Sequence, residues 1–182
     1  IVSQQGFGKN DYIQTSRPLV VVTAPSNKVK RYNKLIFVDD DDNSRAPMAK
    51  IIMRSKYLLG PMEVESRGLV VLFPEPMNQK AEAVLISNGY HVADHVAKQL
   101  VQEDIGDDVL ILTMEDAQKD KIWENYESAK NVYTLTEYIR LRGELAPLYG
   151  EPLKEYGKCY EILEKLLDGL VVQLNEEELL SQ

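Results

Sequence analysis

The sequence contains a single cysteine, Cys159, and two histidines, His91 and His95, in 182 residues. One thiol cannot close an internal disulfide or build a multi-cysteine zinc site, so any metal centre would depend on carboxylates. Cations are also few. Twenty-one Lys and Arg stand against 29 Asp and Glu, a net charge of −8. Nucleic-acid binding takes much of its affinity from phosphate neutralisation, so this balance predicts no nucleic-acid partner. No apolar run reaches the roughly 18–20 residues of a membrane span, which predicts no membrane partner. Nothing at the start has the pattern of a secretory leader, and the expected compartment is the cytoplasm.

What remains is the composition of a globular domain, 44% hydrophobic and 27% charged. Residues 17–24 (RPLVVVTA) are β-branched and predict a strand, closed by Pro25-Ser26-Asn27. Residues 35–38 (LIFV) form a short apolar run of the kind buried in a parallel sheet. A polar loop from Asp39 to Ser44 leads to Arg45-Ala46-Pro47, where proline suits a first helical turn. The spacing of Ala49, Ile52 and Met53 predicts a helix over 46–58. Further strands are predicted at 63–73, 108–114 and 131–135, and further helices at 75–88, to about 126, and at 136–142. A long helix over 152–174 carries Tyr156, Cys159, Ile162, Leu163, Leu166, Leu167 and Leu170 on one face, and 176–182 reads as a frayed acidic tail. Alternating strands and helices imply right-handed βαβ units. The expected architecture is α/β: a four-stranded parallel, doubly wound sheet with helices on both faces. It would span residues 35–175, after an N-terminal extension of residues 1–34 that supplies an arm or an extra strand. As an exposed edge that strand could pair, so monomer and homodimer are both open.

In such sheets ligands sit beyond the carboxyl ends of the strands. The loop after LIFV lies there, with its N–H groups and the following helix dipole forming an anion cradle. Arg45 adds a charged planar fork suited to phosphate. These residues carry a resemblance. LIFV-Asp39, five residues, then Arg45-Ala46-Pro47-Met48-Ala49 resembles the signature of the low-molecular-weight protein tyrosine phosphatases and their arsenate-reductase relatives. Their pattern is an apolar strand, a nucleophilic Cys, five residues, Arg, and Ser-Pro-Met-Ala opening a helix. Ser66-Arg67-Gly68, His95 to Leu100, Leu110 to Met114 and Leu145 to Gly150 are similar to later segments of that family.

The resemblance also implies departures. It puts Asp39 at the nucleophile position, Arg45 at the phosphate-binding position, and Asp40, Asp41, Asp42, Asn43 and Ser44 in the binding loop. Pro147 falls at the general-acid position and Tyr149 on the cleft rim; Tyr133 and Tyr138 are further rim candidates. Ala46 replaces a hydroxyl residue. A thiolate nucleophile is thereby lost, and four adjacent carboxylates oppose an incoming dianion, each pair at about 5 Å costing on the order of 1 kcal/mol in water. Three readings follow. In the first the loop is a solvated acidic turn at a helix start, Arg45 pairs internally with Asp39, and the chain is a pseudophosphatase that binds a protein partner or a small anionic ligand. In the second, Asp39 and Asp41 ligate Mg²⁺ or Ca²⁺ through hard oxygens. In the third, strand plus Asp-x-Asp resembles haloacid-dehalogenase-type enzymes, with Asp39 as nucleophile of a metal-dependent phosphohydrolase. His95 with Asp94 is either an acid–base pair or a structural hydrogen-bonding residue. Cys159 reads as a core residue.

Overall fold

The computed structural model describes the backbone of residues 14–15, and residues 30–92 and 94–181. In chain order the elements are β1 (Gln14–Thr15), β2 (Lys34–Asp39), α1 (Arg45–Arg54), β3 (Glu63–Gly68), α2 (Gln79–Ser87), a 3₁₀ turn (Gln102–Asp104), β4 (Val109–Thr113), α3 (Asp116–Asn125), β5 (Val132–Thr134), α4 (Leu135–Tyr138), β6 (Leu141–Arg142) and α5 (Leu153–Leu180). Strands β3-β2-β4-β5, in that order, form one parallel sheet, and β1 pairs antiparallel with β6. This is the four-stranded parallel, doubly wound arrangement expected.

Period-two alternation divides the central strand between two cores. Leu35 and Phe37 face the layer of α1, α2 and α5, joined by Leu110, Leu112, Leu163 and Leu166. Ile36 and Val38 face the opposite layer with Ile111, Val132 and Ile122 of α3. Helices therefore cover both faces, and the loops at the carboxyl edge of the sheet are held from above and below. No described helix is long and apolar enough to cross a membrane.

Five expectations need correction. The helix predicted over 46–58 ends at Arg54, where Ser55 N–H turns back to the Ile52 carbonyl at 3.0 Å. The predicted strand 63–73 ends at Gly68, because the next two amides turn aside: Leu69 N–H and Val70 N–H donate to the Asp39 and Asp40 carbonyls, both at 3.0 Å. The helix predicted from 75 starts at Gln79, where the Asn78 side chain caps it by accepting from Lys80 N–H at 2.8 Å. The acidic tail is not frayed, since α5 runs to Leu180. Tyr138 Oη donates to both Glu177 oxygens at 2.8 Å, and Arg31 Nε meets Glu178 at 2.7 Å. The helix predicted at 136–142 is the short α4 followed by β6. The strand predicted at 17–24 lies outside the described residues.

Candidate anion loop and its surroundings

The loop between β2 and α1 begins where Asp39 leaves the sheet in register with Gly68. The two backbones approach so closely that a Cβ on Gly68 would stand 2.5 Å from the Asp41 carbonyl carbon. Asp42 then takes φ +56°, the left-handed region that Asp and Asn tolerate better than most residues.

Asp39 is buried, and its carboxylate is spent on the loop itself. Oδ1 accepts from Asp42 N–H at 2.6 Å and Oδ2 from Ala46 N–H at 2.9 Å. Ser44, the residue before α1, makes no side-chain cap. Asp39 does that work from the end of β2, placing a carboxylate at the positive end of the helix. Burial pushes its pKa up to about 7, against the pull of the Ala46 N–H and Arg45.

Arg45, also buried, does not pair with Asp39 in the way expected. Its Nη1 donates to Glu115 Oε2 at 2.6 Å and to the Leu145 carbonyl at 2.7 Å, and Nη2 lies 3.6 Å from Asp40 Oδ2. The physical reason is that Asp39 is already occupied by main-chain donors, whereas the Glu115 carboxylate stands just past the end of β4, within reach of the guanidinium. Gln118 ties these acids together, its Nε2 reaching Asp40 Oδ1 at 3.1 Å and Glu115 Oε2 at 3.2 Å. Both Glu115 and Gln118 were missed in the sequence; an acidic residue directly after a buried strand was the available signal.

Behind the loop, His95 Nε2 approaches the Asp42 carbonyl at 2.9 Å and its Nδ1 approaches Lys50 Nζ at 2.7 Å. Burial lowers the pKa of both His95 and Lys50 and raises that of Asp42. Asp42 Oδ1 lies 3.6 Å from His95 Nε2, and neither it nor Ser66 Oγ, both buried, has a close hydrogen-bond partner among the described residues. His95 is therefore a structural residue here, held by Lys50 and Asp42 rather than coupled to Asp94. Asn43 reaches Glu75 at 3.5 Å, and Ser44 Oγ donates to Asn43 at 3.1 Å. Pro147 and Tyr149 are exposed on the segment after Leu145, the tyrosine almost completely. Tyr138 instead packs against Tyr133, their ring centres 5.4 Å apart. Cys159 is in the core, its thiol pushed up to about 12 by burial. Among the described residues no group of three or more His, Cys, Asp or Glu is arranged to hold a metal ion. The Asp39–Asp41 pair read as a metal site has Asp39 with both oxygens turned to main-chain N–H groups.

A parallel sheet whose central strand opens through a tight amide-lined loop and a buried arginine into a helix defines an α/β protein built around an anion-type loop. Comparison with known proteins gives the family. The model of the low molecular weight phosphotyrosine protein phosphatases matches residues 34–180. A second model, the N-terminal part of a domain of unknown function, matches residues 1–53. A protein-arginine-phosphatase of Geobacillus stearothermophilus is 31% identical over 147 residues, 80% of this chain and 98% of that protein. The low molecular weight protein-tyrosine-phosphatase PtpB of Staphylococcus epidermidis is 30% identical over 137 residues, 75% of this chain and 96% of its own length. Among solved structures, the low molecular weight protein tyrosine phosphatase from T. tengcongensis aligns with a TM-score of 0.72 at 33% identity, covering 78% of this chain and 99% of that one. The chain belongs to the low molecular weight phosphotyrosine protein phosphatase family.

Proposed function

We propose that this chain is a catalytically inactive member of its family, a cytoplasmic binding or regulatory module that keeps the phosphatase frame without the chemistry. One observation carries the reading: the Asp39 carboxylate sits on the Asp42 and Ala46 amides, so the loop supplies its own anion. At the position where the resemblance calls for a thiolate, Asp39 has its oxygens turned to the loop and not to an incoming phosphorus. Arg45 is neutralised by Glu115 and Asp40, and its second anchor is a carbonyl. A phosphate dianion entering this loop would have to displace a covalently held carboxylate and then face the exposed carboxylates of Asp40 and Asp41, each repulsion on the order of 1 kcal/mol at about 5 Å in water. Pro147, at the position matched to the general acid, has no proton to give a leaving group.

The test is hydrolysis of a generic aryl phosphate, with and without millimolar Mg²⁺, by the natural protein and by Asp39→Asn. No turnover is expected in any condition. Turnover that needs Mg²⁺ and vanishes in Asp39→Asn would replace this reading with a carboxylate-based phosphohydrolase.

A further inference from the structure

Two anchored segments border the loop, one bonded to the Asp40 and Asn43 carbonyls and the other reached by Arg45 through the Leu145 carbonyl. The first, residues 69–77, is pinned along its length: Val70 N–H to the Asp40 carbonyl at 3.0 Å, Val71 N–H to Gln99 Oε1 at 3.0 Å, Ala97 N–H to the Glu75 carbonyl at 2.8 Å, and Asn78 N–H to the Asn43 carbonyl at 3.0 Å. Between these anchors it presents Val70, Leu72 and Phe73 to solvent, at 60%, 80% and 67% exposure. The second, residues 145–151, is tied by Leu145 N–H to the Met114 carbonyl at 3.1 Å and by Lys80 Nζ to the Glu151 carbonyl at 2.7 Å, and it presents Tyr149 at 97% exposure. Large apolar side chains fixed outward on well-anchored backbone mark an interaction surface more than they mark packing.

The exposed charge around the loop is mostly acidic, with Lys80 and Lys119 the nearby cations, held on the Glu151 carbonyl and on Glu137. Asp40 and Asp41 are exposed on the loop, and burial together with Asp40 raises the pKa of Asp41. On the far side Asp116 is exposed, its amide donating to the Glu144 carboxylate, and its pKa is raised by burial and by Glu144. Arg45, the cation at the floor, is buried and already matched by Glu115 and Asp40. This rim repels phosphate and attracts a cation.

We infer that this face, from the loop to its two bordering segments, docks an unphosphorylated peptide segment bearing an arginine or lysine flanked by large apolar residues. The basic side chain sits over Asp40 and its acidic neighbours, and the apolar flanks lie on Leu72, Phe73 and Tyr149. This rests on the inactive-phosphatase reading, whose loop is free of substrate phosphate.

The probe is a fluorescein-labelled nonapeptide with a central arginine between leucine and phenylalanine pairs, titrated with the full chain at low salt and followed by fluorescence anisotropy. Saturable binding is expected, weakening about tenfold when the arginine is replaced by citrulline, its neutral isostere. Leu72→Ser with Phe73→Ser, and separately Asp40→Asn, should each weaken it by a similar factor; all three residues are exposed, so the fold is retained. Absence of binding, equal binding of the citrulline peptide, or tighter binding of a phosphotyrosine peptide overturns the inference. The aryl phosphate assay reads the underlying proposal separately. A protein that neither binds the peptide nor turns over phosphate loses only this inference, whereas turnover removes the premise whatever the peptide does.

Discussion

Lys50 Nζ stands 2.7 Å from His95 Nδ1, and this contact assigns the tautomer of the imidazole behind the loop. An ammonium can only donate, so Nδ1 accepts, and Nε2 carries the hydrogen given to the Asp42 carbonyl. His95 is thus neutral, in keeping with the lowering of its pKa by burial. Lys50 supplies positive charge toward the buried carboxylate of Asp42.

Removing one member of this set should cost far more than removing two. Lys50→Met leaves Asp42 as a buried charge without that cation, and a loss of about 3 kcal/mol is expected. Lys50→Met combined with Asp42→Asn should recover more than half of it. Urea denaturation of the two singles and the double gives the coupling directly, and simple additivity would show that the two charges do not sense each other.

Asp39 makes stability depend on pH in an unusual sense for a carboxylate. Its folded pKa is about 7 against 3.8 in the unfolded chain, so the folded protein binds the extra proton. Its contribution is complete below about pH 4 and is lost as pH rises through 7, each pH step of one between those two values removing about 1.4 kcal/mol. Asp41 and Asp42 are raised as well and act in the same direction. Denaturation midpoints measured from pH 5 to 8 should fall, and the fall should be shallower in Asp39→Asn; an identical slope in the variant would remove Asp39 as its source.

Two glycine-to-alanine changes should have opposite signs. Gly68→Ala drives a methyl into the Asp41 backbone and should cost at least about 1–3 kcal/mol. Gly157→Ala meets nothing within 4 Å in α5 and should stabilise by about 0.5–1 kcal/mol through helix propensity. Thermal melts of both would settle whether the loop approach, rather than glycine content in general, is what constrains β3.

Arg45 should behave as a structural tie between three segments. Arg45→Met frees Glu115 and the Leu145 carbonyl, and the main-chain amides of residues 144–151 are expected to lose hydrogen-exchange protection while those of β2 keep theirs. Unchanged exchange there would mean the segment is held by other contacts.

The strands of the main sheet were readable because LIFV and LILT are apolar runs with no competing period, and the loop was readable because the spacing from Asp39 to Arg45 is unusual. Residues 69–73 were misread as strand from the same cue: Val70, Val71, Leu72 and Phe73 are strand-like in composition but serve as surface. Lys50 leaves no trace and Glu115 only that of an acid following a buried strand, since their partners His95 and Arg45 lie 45 and 70 positions away along the chain. The acidic end of α5 looked frayed because helix propensity says nothing of Tyr138 and Arg31, which hold Glu177 and Glu178 from elsewhere.

The Asp39 side chain is hydrogen-bonded within the loop it caps. A free phosphate occupies such a cradle according to its concentration, whereas a carboxylate fastened to the preceding strand has an effective concentration set by geometry alone. The first-turn amide of α1 is therefore met by a group of the chain itself, whose charge varies with pH around 7 rather than with the anion content of the surroundings.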